Sequence, residues 1–110
     1  MDLERRVLNY FEAFQDKRLD LLEEMFADEI KLKDWSGNLV GIKDVLEFNK
    51  QTFKKIETIK INPQKIYRDS SSVIVKLVID INNGQEILFV MDIIKYNPIG
   101  KIISIEAYKR

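Results

Sequence analysis

The chain has 110 residues, with 18 Lys+Arg balanced by 18 Asp+Glu, and neither cysteine nor histidine. Those two absences exclude a Ser-His-Asp triad, a cysteine nucleophile, a Cys/His zinc site and a disulfide framework. Zero net charge argues against non-specific nucleic-acid binding, which needs a basic surface to displace counterions. Hydrophobic residues at 45% and charged residues at 33% fit a single globular domain over residues 1–110.

Leu3, Val7, Tyr10, Phe11 and Phe14 recur at helical spacing, with Glu4, Arg5, Arg6 and Glu12 on the other face, predicting an amphipathic helix over about residues 2–16. Asp16-Lys17-Arg18 interrupts the stripe, and Leu19, Leu22, Met25 and Phe26 begin a second, shorter helix. Alternation of Ile30 and Leu32 with Lys31 and Lys33 predicts a short strand ending at Asp34, followed by a turn through Trp35-Ser36-Gly37-Asn38. A third helix follows Gly41, with Ile42, Val45, Leu46, Phe48 and Phe53 as its stripe.

Everything after Lys55 reads as strand: Thr58–Arg68, broken at Asn62-Pro63 as an edge or a bulge would be, then Ser72–Ile81, Gln85–Tyr96 and Lys101–Lys109. Asn82-Asn83-Gly84 supplies a tight hairpin turn. Helices first, then a meander of long strands, is an α+β pattern. The N-terminus mixes acidic and basic residues with no signal-like apolar run, and no run is long enough to span a bilayer; a cytoplasmic protein without membrane partners is expected.

The strand Ile87–Ile94 is apolar on both faces, Ile87, Phe89, Met91 and Ile93 on one and Leu88, Val90 and Ile94 on the other. Three short helices can cover only one face, so a homodimer through the sheet is expected. On the Leu88 side, Asp92 interrupts the apolar row. An ionised carboxylate there carries a desolvation cost of several kcal/mol, so it must be paired, face a cavity or hold its proton. The competing reading is a solvated outward position, or a partner for Lys76. Asp34 before Trp35-Ser36-Gly37 is ordinary turn chemistry, Tyr10 on a helical stripe is ordinary core, and Trp35 fits a core lid or a ligand contact equally.

Tyr10-Phe11-Glu12-Ala13-Phe14, Leu22, Met25-Phe26-Ala27-Asp28-Glu29, Lys33-Asp34, Gly41, Val45 and Phe48 together resemble the nuclear transport factor 2-like superfamily, which includes the SnoaL-like proteins. Within it the pattern is most similar to the bacterial steroid Δ-isomerases (ketosteroid isomerases). The resemblance implies a cone: a curved antiparallel sheet wrapped around the N-terminal helices, enclosing an apolar pocket, commonly dimeric through the sheet. It further implies that Tyr10 and a protonated Asp92 bind an enolate oxygen while Asp34 moves the proton. Phe14, Trp35, Phe48, Asn49, Leu88 and Val90 are then expected to line the pocket, which takes a small apolar ligand or substrate. This chemistry uses no metal and no cofactor.

Three departures accompany the resemblance. Trp35 stands where the isomerases often have proline, the turn to Gly41 is shorter, and Asn49 replaces a tyrosine that supports the helix-borne phenol. Dehydratases of the scytalone type rely on histidine, which is absent. Limonene-type epoxide hydrolysis needs an Asp-Arg-Asp set, and Arg5, Arg6, Arg18, Arg68 and Arg110 all read as surface. Two functions stay open: cofactor-free proton transfer of isomerase or cyclase type on a small carbonyl compound, or a non-catalytic module of the same shape that binds a ligand, dimerises, or docks a protein as transport factors do.

Overall fold

Asp2 caps the first helix by accepting a hydrogen bond from the Arg5 amide at 3.0 Å, so α1 runs Leu3–Gln15 in the computed structural model, which describes residues 1–110. Lys17, with φ of 57°, turns the chain into α2 (Leu19–Met25). β1 (Phe26–Asp34) and β2 (Gly37–Val40) form a hairpin. Gly41, at φ of 97°, then starts α3 (Ile42–Lys55). β3 (Ile59–Arg68), β4 (Ser72–Ile81), β5 (Glu86–Tyr96) and β6 (Ile102–Lys109) complete the chain.

The six strands form one curved, unclosed sheet in the order β2-β1-β6-β5-β4-β3. From β3 to β6 it is an antiparallel meander. One pairing breaks the antiparallel rule: β1 lies parallel to β6, because the chain crosses the whole sheet through α3 before returning to β1. The helices lie on the concave side and close the core there. Val7, Leu22, Val45 and Phe53 of the helices share one hydrophobic core with Val73, Val75, Leu77 and Ile94 of the sheet.

Two strand boundaries differ from the sequence expectation. β1 begins at Phe26 rather than Ile30, and a bulge between Phe26 and Lys31 scrambles the alternation that would have revealed it. The predicted turn through Asn38 is partly strand. β2 is four residues long, has only Leu39 half-buried, and owes its existence to pairing with β1. β3 is an edge strand with a shift in pairing between Pro63 and Lys65, as a proline without an N–H dictates. No helix is long and apolar enough to cross a membrane.

Lysine and glycine secure the two ends of the cone. The Lys17 ammonium donates to the carbonyls of Phe53 and Glu57, each at 3.0 Å, and to that of Ile56, closing the C-terminal end of α3. Arg6 on α1 donates to the Gly100 carbonyl at 3.1 Å. Gly100 is at φ of +90°, a conformation that favours glycine, and a Cβ there would sit 2.5 Å from the guanidinium carbon and push the Arg6 side chain aside.

The convex face is bare. Ile74, Ile87, Phe89, Met91 and Tyr108 are exposed on it, with the Arg110 guanidinium 4.4 Å from the Phe89 ring centroid.

Candidate active site

The sheet's curvature and the helices above it enclose a cavity of about 370 Å³, and 16 of its 23 lining residues are hydrophobic. Tyr10, Asp34 and Asp92 all lie on its wall, as do Phe14, Trp35, Phe48, Asn49, Leu88 and Val90. One cavity therefore gathers every residue that the sequence marked as a site candidate. A smaller pocket of about 150 Å³ adjoins it at Leu32, Asp34, Ser36 and Phe48.

Asp92 owes its position to the period-two alternation of β5. Leu88, Val90, Asp92 and Ile94 face inward, whereas Ile87, Phe89 and Met91 face out. The pairing of β4 with β5 decides the lysine question: Asp92 lies opposite Val75, whereas Lys76 lies opposite Met91 and shares its outward face. No salt bridge or side-chain hydrogen bond reaches Asp92, and the residue is 9% exposed. Burial alone therefore pushes its carboxyl from the ordinary 3.8 up to about 7. At neutral pH, acid and carboxylate coexist.

Tyr10 enters from α1. Its ring is held by Phe11, Phe14 and Phe26, with centroids at 5.5, 6.2 and 6.1 Å. Burial, then the nearby Asp92 and Tyr96, raise its phenol far above the ordinary range, so it is a neutral donor at every physiological pH.

Asp34 ends β1 on the third side. Asp92 pairs with Ala107 of β6, and Lys33 with Glu106, which brings Asp34 beside the same alanine. Two strand spacings separate the acids, about 10 Å between backbones. The small Ala107 side chain lies between them on the cavity floor. Asp34 Oδ1 accepts from the Ser36 amide at 2.7 Å and the Ser36 hydroxyl at 2.6 Å. Asp34 thus both makes the turn and borders the cavity, its Oδ2 making no side-chain hydrogen bond.

The mouth is wetter. Trp35 is 47% exposed, so it lines the rim rather than capping the core, and the Lys109 ammonium sits 5.0 Å from its ring centroid. Sequence reasoning missed Lys109, although its inward phase with Ile105 and Ala107 on β6 was available as a signal. Tyr96, 4% exposed with a buried hydroxyl that has no partner, lies outside the cavity lining. All five arginines are exposed and none lines the cavity. No group of three or more acidic side chains is placed to hold a metal ion.

The sequence profile of the SnoaL-like domain matches residues 7–105. Among curated proteins, none matches the chain by sequence. Among solved structures, a candidate polyketide cyclase from Sinorhizobium meliloti superposes with a TM-score of 0.83 at 18% identity, covering 94% of this chain and 93% of its own. A candidate ketosteroid isomerase from Kribbella flavida gives 0.83 at 15% identity, covering 96% and 76%. An LEH-like epoxide hydrolase from M. tuberculosis gives 0.82 at 14% identity, covering 96% and 80%. At such identities the likeness is one of fold. Proteins sharing this scaffold carry names of different activities, so only the cavity's own chemistry can discriminate among them.

Proposed function

The chain belongs to the SnoaL-like domain family, and from its cavity we propose that it performs cofactor-free proton transfer on a small, largely apolar carbonyl compound. The observation that carries this reading is Asp92, a buried carboxyl with no protein partner that faces an apolar hollow beside a neutral phenol.

In the proposed reaction the carbonyl oxygen of the substrate lies between Asp92, in its acid form, and Tyr10. Asp34, at the wetter end, acts as the base and takes a proton from the carbon α to the carbonyl through Oδ2. The electron pair of the broken C–H bond moves onto the oxygen, and the two donors stabilise the enolate as it forms. Return of the same proton to the γ-carbon of a conjugated enolate shifts the double bond. No electron or atom is gained or lost.

The hydrogen bonds from Ser36 favour a second reading. They occupy one oxygen of Asp34 and tie it to the turn, the arrangement expected where a carboxylate serves structure. In that case the cavity binds a ligand through Asp92 and Tyr10 without turnover.

Equilenin, a planar phenol, separates the readings when combined with a β,γ-unsaturated ketone substrate. Under both readings equilenin binds, and Tyr10→Phe, which deletes a donor, or Asp92→Asn, which exchanges an acid donor for a weaker amide one, weakens it about tenfold. Turnover of the ketone that disappears in Asp34→Asn supports catalysis. Equilenin binding without turnover leaves the binding module, and equilenin binding indifferent to Asp92 and Tyr10 overturns both.

We also propose that the convex face pairs with a second copy of the chain. Its exposed apolar row is supplied by neighbouring strands β4, β5 and β6, which makes a continuous surface suited to sheet-on-sheet packing.

A further inference from the structure

Asn49 interrupts the apolar stripe of α3 as Asp92 interrupts that of β5. Its helical neighbours on the buried side are Val45 and Phe53, and it is itself 4% exposed. Nothing local explains an amide there. Asparagine is a poorer helix former than leucine, and a buried amide with no partner carries a desolvation penalty that an apolar side chain avoids.

The surroundings offer the amide no relief. No side-chain hydrogen bond of the protein involves Asn49, and its polar atoms are not among those sealed from the cavity. Thr52, three residues further along the same helix, donates its hydroxyl to the Phe48 carbonyl at 3.0 Å. Asp92 and Tyr10 approach from β5 and α1, and neither is hydrogen-bonded to Asn49. Apart from the charged and hydroxyl groups of Asp34, Ser36, Glu86 and Lys109, the cavity wall therefore carries an acid–phenol pair and, on a different element, a buried amide that is hydrogen-bonded to neither.

We infer that the cognate ligand carries a second hydrogen-bonding oxygen, distinct from the one met by Asp92 and Tyr10, and that Asn49 recognises it. The ligand class is then a difunctional, otherwise apolar ring compound, such as a hydroxyketone, diketone or diphenol, rather than a simple monoketone. This rests on the proposed carbonyl or phenol site at Asp92 and Tyr10, and it adds the specificity determinant.

The test compares 2-naphthol with a panel of isomeric dihydroxynaphthalenes by calorimetry, on the wild-type chain and on Asn49→Leu. At least one diol is expected to bind wild type about fivefold to tenfold tighter than 2-naphthol, from one added hydrogen bond. That advantage disappears in Asn49→Leu, while 2-naphthol affinity is kept or improved. Equal affinity of wild type for 2-naphthol and every diol overturns the inference, as does a variant that loses 2-naphthol as severely as the diols.

Thermal unfolding of the ligand-free proteins is the second measurement. An amide retained for a ligand predicts a higher Tm for Asn49→Leu, and a lower one overturns the inference by making Asn49 structural. Failure of every naphthol to bind wild type, with a raised Tm for Asn49→Leu, counts against the Asp92–Tyr10 site and leaves Asn49 as a ligand residue.

Discussion

Replacing Asp92 by asparagine should make the protein more stable at neutral pH, and by an amount that depends on pH. The folded chain holds the Asp92 proton up to about pH 7, whereas the unfolded chain releases it near the ordinary 3.8. Between those values the folded state binds more protons than the unfolded one, so this carboxyl makes stability fall as pH rises, by about 1.4 kcal/mol per pH unit. The full loss is about 4 kcal/mol, complete once the pH exceeds 7. Asparagine has nearly the same shape and does not titrate. Urea unfolding of both proteins from pH 4 to 8 isolates the effect, since the other carboxyls contribute equally and cancel in the difference. The two curves are expected to meet near pH 4 and to separate by up to about 4 kcal/mol at pH 8, with Asp92→Asn the more stable. A flat difference, or one in which wild type gains stability as pH rises, would refute the dry, unpaired carboxyl. Either result would mean that Asp92 is hydrated or held as an anion by a partner.

Other outcomes follow from the same structure. Lys17→Met removes the donors that close the C-terminal end of α3 and should cost about 2 kcal/mol, read as a lower urea midpoint with an unchanged slope. Phe89→Lys places a charge in the centre of the bare convex face. Light scattering should then report a monomer for the variant and a dimer for wild type, and a monomeric wild type at micromolar concentration would remove the pairing proposal. Loss of ketone turnover in Asp34→Asn, with equilenin affinity kept, is the expected signature of Asp34 as the base.

Much of this was legible in the chain. Helical spacing of Leu3, Val7 and Tyr10, and alternation through Val73, Val75 and Leu77, required an α+β fold with one buried face, because period alone decides which side chains can share a core. Asp92 was conspicuous for the same reason: a charged residue in phase with buried ones must be explained wherever it lies. Asn49 stood out only through the resemblance, because a polar residue among helical ones is usually solvated, and nothing local says that this turn of α3 faces a hollow. The bulge in β1 and the four residues of β2 were hidden, since both depend on pairing rather than on periodicity.

The sequence by itself determined the helices, the long strands, their buried faces and the identity of the anomalous acid, all of which follow from local spacing and side-chain chemistry. Only the tertiary structure decided that Lys76 turns away from Asp92, that Asp34 comes to the same alanine from the other side, and that Asn49 of α3 lines the same cavity. Those facts rest on strand pairing and on the closure of helices over a curved sheet. They bring together residues tens of positions apart, and no window of sequence contains them.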